Sequence, residues 1–158
     1  MEELTTLLKA KEDLKTKLRK GEMVICPCCT QVAKVYKRKI SSSSAYALII
    51  LSKKKVKGEF HLERTLVELD LLKLVRSDFP KLRYWGLIGT IESKREDGSS
   101  RNGFYRITEA GRLFIENKIT LPKYMHVYNN KAFKSSGERI TILDCLGEKF
   151  NYNEIINL

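Results

Sequence analysis

FPKLRYWGLIGTIES, Phe79 to Ser93, and GFYRITEAGRLFI, Gly103 to Ile115, decide the reading of this chain, because the hydrophobic period changes between and within them. Phe79, Leu82 and Trp85 recur at helical spacing, Ser77 or Asp78 can cap a helix ahead of them, and Pro80 is tolerated in a first turn that needs no donor there. The helix therefore runs from Asp78 to Trp85 and stops at Gly86. Leu87 to Ser93 and Gly103 to Ile107 then read as strands. KREDGSSRN, Lys94 to Asn102, joins them and is too polar to be buried, so the pair forms a long-looped hairpin. Thr108 caps a last helix that reaches about Glu116.

Working outward, Leu62, Leu66, Leu69, Leu72 and Val75 are spaced by three or four residues and predict one helix over roughly Glu63 to Val75. A short strand at Glu59 to Leu62 precedes it. Before that lies a helix at Ala45 to Lys53, closed by the basic run Lys53 to Lys57 and Gly58, with Ser41 to Ser44 as a linker or its N-cap. Helix, strand, helix, helix, hairpin, helix is the order of a winged helix-turn-helix with one extra C-terminal helix.

Both flanks add smaller pieces. Leu4, Leu7, Leu8, Leu14 and Leu18 make Glu2 to Lys20 an amphipathic helix ended by Gly21, which either docks on the body or pairs with a second copy to give a homodimer. Met23 to Ile25 and Val32 to Tyr36 are β-prone and flank CPCCTQ, predicting a hairpin with cysteines at its tip. In the tail, Tyr124 to Tyr128, an Asn129-Asn130 turn and Lys131 to Ser135 predict a second hairpin, with Glu138 to Ile142 as a third strand. The expected fold is α+β: a winged helix-turn-helix core with an N-terminal helix, a cysteine-bearing β-hairpin and a small C-terminal β-hairpin appendage. The corresponding divisions are residues 1–40, 41–118 and 119–158.

The 158 residues carry 30 Lys and Arg against 19 Asp and Glu, a net charge of +11. Of this, +8 falls in residues 1–60. Such an excess favours polyanionic partners. The longest apolar run, Ala45 to Leu51, is far short of the ~20 residues of a membrane-spanning helix. Glu2, Glu3 and Lys9 stand where a secretory signal would be apolar. Three of the four cysteines crowd together at Cys26, Cys28 and Cys29, with Cys145 alone, unlike a disulfide scaffold. A reducing cytoplasm is expected, with no membrane partner.

Two resemblances attach to these residues. FPKLRYWGLI followed by GFYRITEAGRLFI resembles the recognition helix, wing and post-wing helix of winged-helix regulators related to the MarR and PadR groups. ICPCCTQVAKVYKRKI, KLRYWGLI, YRITEAGR, LPKYMHVYN and LGEKFNY together resemble uncharacterised phage and prophage proteins that carry a CPxCGQ knuckle. The second resemblance spans about Ile25 to Leu158 and implies a viral or mobile-element origin. It departs at Thr30, where the knuckle has glycine, and a threonine there is expected to make the turn less comfortable.

Lys81, Arg83 and Tyr84, with Arg76 just before them, project from a helix whose Phe79, Leu82 and Trp85 face inward. Lys and Arg there can reach guanine acceptors and phosphates, and Tyr84 can donate to a phosphate. Lys94, Arg95 and Arg101 occupy the loop that would track the backbone or minor groove. Lys37, Arg38 and Lys39 beside Tyr36, with Lys53, Lys54 and Lys55, supply further phosphate contacts, or else form an ordinary solvated face. Double-stranded DNA is thus the expected partner.

Cys26 and Cys29 have the C-x-x-C spacing of a zinc knuckle, which is half of a tetrahedral site. Cys28, Cys145, His61 and His126 supply no second paired motif, so the chain is expected to fold without stoichiometric zinc. No Walker A lysine, GxGxxG or HExxH is present, and no catalytic residue or enzymatic activity is expected. The expected function is a phage-type winged-helix DNA-binding regulator of transcription or replication. The alternative is an interaction factor that seizes a host protein, as a counter-defence factor or RNA polymerase modulator does.

Overall fold

The structure, a computed structural model, describes residues 6–54, 58–75, 77–91 and 103–158. It is a mixed α+β chain whose described contacts fall into two units, residues 1–38 with 124–136, and residues 39–123 with 137–158.

In the first unit, Thr6 caps helix α1, Leu7–Arg19, by accepting from the Lys9 amide. Ala10 and Leu18 are buried on its inner stripe, while Leu7 and Leu8 are exposed. Strands β1, Val24–Ile25, and β2, Val32–Ala33, pair antiparallel with Val24 opposite Ala33 and Ile25 opposite Val32. The cysteines occupy the tip, as predicted, but the second flank, expected to run from Val32 to Tyr36, ends at Ala33, and Tyr36 opens a strand of another sheet. Strand β3, Tyr36–Lys39, follows and lies beside a long hairpin of β7, Leu121–Tyr128, and β8, Lys131–Ile140, in the order β3-β7-β8. Asn129 and Asn130 both take positive φ, 50° and 61°. This is the conformation that a tight two-residue hairpin turn demands and that asparagine tolerates.

The second unit is built around α2, Ser42–Lys53, N-capped by Ser41. SSSAYALIILSK has no polar stripe, and Ala47, Leu48, Ile49 and Leu51 are all fully buried. A helix that is apolar on every side must be surrounded. Here α4, Leu72–Val75, α5, Glu109–Ile115, α6, Ile142–Leu146, α7, Tyr152–Ile156, and the 3₁₀ helix Phe79–Trp85 pack around it. Burial of each of its large aliphatic side chains stabilises the fold by about 1.5–3 kcal/mol. Strands β4, Phe60–His61, β5, Ile88–Thr90, and β6, Phe104–Ile107, form an antiparallel sheet in the order β4-β6-β5.

Four expectations are corrected. The single helix over Glu63 to Val75 is two, α3, Leu62–Glu68, and α4. Asp70 turns between them at φ 55°, and the Leu71 amide reaches back to the Leu66 carbonyl at 2.8 Å. Leucine spacing continues across this turn because both helices face one core, so periodicity alone does not reveal the break. The segment ahead of Gly86 is 3₁₀, and Asp78 gives it no side-chain cap because its carboxylate takes the Lys81 ammonium instead. Glu138 to Ile140 extends β8 rather than forming a separate strand, and Ile142 opens α6, where Thr141 and Asp144 make a reciprocal capping box. Helix α7, capped by Asn151, has too short an apolar pattern to stand out in sequence.

Gly86 and Thr108 take the stop and cap positions expected of them. Gly86 takes φ 73° and ends the 3₁₀ helix, and the Trp85 indole N–H donates to the Pro122 carbonyl at 2.8 Å. Thr108 caps α5 by accepting from the Gly111 amide at 3.0 Å, while its hydroxyl donates to the Gly86 carbonyl. A Cβ on Gly111 would collide with the Leu87 carbonyl oxygen, so glycine is what lets α5 close on β5.

Candidate nucleic-acid interface

In the first unit, successive side chains of β3 point to opposite faces of the sheet, as a strand requires. Lys37 places its ammonium 4.1 Å from the centroid of the Tyr124 ring on β7. Arg38 instead lies 4.7 Å from the ring of Tyr36, with the Lys34 ammonium 5.6 Å from the same ring. The basic run is thus split between two faces, with Lys37 and Arg38 each held over an aromatic ring.

On the Lys37 face, His126 Nε2 and Ser136 Oγ lie 2.7 Å apart in a hydrogen bond. The His126 imidazole is held below its ordinary pKa, first by partial burial and then by the positive charges of Lys134 and Lys37. Lys37 and Lys134 thus lie close enough to His126 to act on its charge, and a face that carries two such cations attracts an anion. The ion pairs formed among the described residues take up Lys81, Arg112, Lys118 and Lys123, and leave Lys37 and Lys134 without a carboxylate. The sequence reading places neither Tyr124 nor Lys134 at a site and weighs His126 only as a metal ligand. The signal was the alternation KYMHVY and KAFKSS around Asn129-Asn130, which puts every second residue on one face.

In the second unit, Phe79, Leu82 and Trp85 of the 3₁₀ helix are buried, as the spacing predicts, and Lys81, Arg83 and Tyr84 lie at intermediate exposure. Lys81 pairs with Asp78 at 2.7 Å, and the Arg83 guanidinium sits 5.1 Å from the Tyr84 ring centroid with Nη2 3.4 Å from the phenol oxygen. Lys53 donates to the backbone carbonyl of Ile156, while Lys54 and Lys39 are exposed. Arg76, Lys94, Arg95, Arg101 and Lys55 lie outside the described residues.

At the cysteine tip, the Thr30 amide donates to the Cys26 carbonyl at 2.9 Å and the Cys26 amide to the Gln31 carbonyl at 2.8 Å. Thr30 takes φ 61°, the left-handed region that favours glycine, and its hydroxyl donates to the Cys29 carbonyl at 2.6 Å. The turn closes with threonine in place, contrary to the expectation from its side chain. Hydrogen bonds from the backbone of Cys29 and Cys28 and from their side chains lower the Cys26 thiol pKa. Cys145 is the opposite case. Burial, then Asp144, push its thiol up to about 12.

The second unit also has a cleft of about 910 Å³, lined by Lys39, Lys123, Arg139 and Lys149 but also by Glu138, Asp144 and Glu148. Its charges oppose one another, and the Cys145 thiol beside it is held protonated, so it presents no activated nucleophile. Comparison of the chain with protein-family models, with curated proteins and with solved structures yields no match.

Proposed function

We propose that this chain binds double-stranded DNA and acts in a host-cell cytoplasm as a regulator of transcription or replication. The observation that carries this reading is the positive face of the first unit, where Lys37 and Lys134 flank His126 and neither is neutralised by a described carboxylate. Such cations contact phosphates, position the duplex and bind without regard to sequence.

The second unit supplies the reading of bases. Its order α2, β4, α3, α4, 3₁₀ helix, β5, β6, α5, with strands in the order β4-β6-β5, supports reading it as a winged helix-turn-helix with the 3₁₀ helix in the recognition position. Lys81, Arg83 and Tyr84 stand on the side of the 3₁₀ helix away from its buried residues. Their intramolecular partners are weak ones to exchange, since a partly exposed ion pair is worth only about 0–1 kcal/mol. The resemblance of KLRYWGLI and of the cysteine knuckle to phage and prophage proteins supports the cellular setting. A protein partner is favoured at one face, the β1–β2 hairpin, whose exposed Met23, Ile25 and Val32 have no use on a phosphate backbone.

Fluorescence anisotropy on a labelled duplex tests the assignment. Lys37→Ala with Lys134→Ala weakens all sequences alike. Lys81→Ala or Arg83→Ala costs a preferred sequence about 1–3 kcal/mol if a base is read. Unchanged binding in both sets of variants removes the proposal.

A further inference from the structure

The cysteine hairpin is unused by the DNA reading, yet its tip is shaped. Cys26 and Cys29 sit on a closed turn, and Cys28 and Cys29 are exposed. The C-x-x-C spacing on such a turn is that of two ligands to one metal ion. Two thiolates do not fill a tetrahedral centre, which takes four ligands. Among the described residues, no three His, Cys, Asp or Glu side chains are placed to hold one metal ion. Cys145 is buried in the other unit with its proton retained.

The missing half has a source in the hairpin itself. Ile25 and Val32 are directly paired and share the face opposite Val24 and Ala33. They are 64% and 60% exposed, and Met23 beside them is 67% exposed, whereas Ala33 is buried at 8%. The hairpin therefore shows solvent an apolar face that leads directly to the thiols. A second copy of the same hairpin matches it in both respects, bringing apolar surface to apolar surface and two thiols to two thiols.

We propose that two copies of this chain join at their hairpin tips around one shared zinc ion, with Cys26 and Cys29 of each copy as the four ligands. Each Zn–S bond forms as one thiol gives up its proton to solvent, with no change of oxidation state. Two Zn–S bonds per chain thus release up to two protons per chain. The resulting centre has a net charge of −2, which the basic chains tolerate. Cys28, between the two ligands, is not one of them. One zinc ion then serves two chains.

The test uses the reduced full-length chain without DNA, titrated with cobalt(II) as a spectroscopic stand-in for zinc and then with zinc itself. The expected result is a tetrahedral thiolate spectrum that saturates at one metal per two chains, with the sedimentation mass doubling in step and returning to the monomer on chelation. Cys26→Ser and Cys29→Ser abolish both signals, whereas Cys28→Ser and Cys145→Ser preserve them. Ile25→Lys leaves the thiols intact but weakens metal-dependent dimerisation at least tenfold. Saturation at one metal per monomeric chain, absence of a thiolate spectrum, or a dimer indifferent to chelator overturns the proposal. Because no DNA is present, failure here leaves the DNA reading untouched, and loss of DNA binding leaves this one untouched.

Discussion

The ammonium of Lys37 stands 4.1 Å from the centroid of the Tyr124 ring, and the same lysine acts with Lys134 on His126. This relationship ties a basic run near the N-terminus to a hairpin almost ninety residues later. An exposed cation over an aromatic ring contributes about 0.5–1 kcal/mol, enough to orient the side chain without removing its charge from solvent.

His126 is therefore expected to titrate below its ordinary 6.5. Its folded pKa is depressed, so below 6.5 the unfolded chain takes up a proton that the folded chain resists. Stability from this group is full above 6.5 and is lost as pH falls from there toward the folded value. An NMR titration of the His126 ring reads this directly. Lys134→Ala raises the midpoint and shallows the fall of melting temperature on the acid side. A midpoint at or above 6.5 in the unmodified chain shows that the face is not positive.

Gly111 is fixed by the approach of α5 to the Leu87 carbonyl. Gly111→Ala should destabilise the second unit by about 1–3 kcal/mol, the ordinary cost of forcing atoms into a packed contact, despite the better helix propensity of alanine. Chemical denaturation measures it. A neutral or stabilising effect would show that α5 does not close on β5 as described.

The thiols should separate sharply in reactivity. In the presence of chelator, Cys26, Cys28 and Cys29 are alkylated in the folded chain, while Cys145, buried and raised to about 12, reacts only on unfolding. Peptide mass spectrometry after timed alkylation gives the order. Early labelling of Cys145 in folded protein contradicts its placement at the inner side of α6.

Much of the fold was legible where polarity and turn chemistry agree. SSSAYALIILSK, Gly86 and the Asn129-Asn130 pair each state their conformation locally, and the cysteine hairpin follows from its β-prone flanks. The break at Asp70 was not legible, because leucines on both sides of it obey one spacing while serving two helices. The short helices α6 and α7 are held by Thr141, Asp144 and Asn151 as caps, a signal of two or three residues that strand-like neighbours obscure. For the candidate site, the sequence located the basic residues but not their directions. Strand alternation divided Lys37 from Arg38, and Lys53 turned to the Ile156 carbonyl, neither of which a charge count can express.

The central claim, that this chain holds DNA through phosphate contacts, is tested most directly by the salt dependence of its binding to a random-sequence duplex. The account predicts that the logarithm of the affinity falls linearly with the logarithm of salt concentration, and that each of Lys37→Ala and Lys134→Ala flattens the slope by about 1. No binding at low salt, or an affinity that salt does not change, would contradict it.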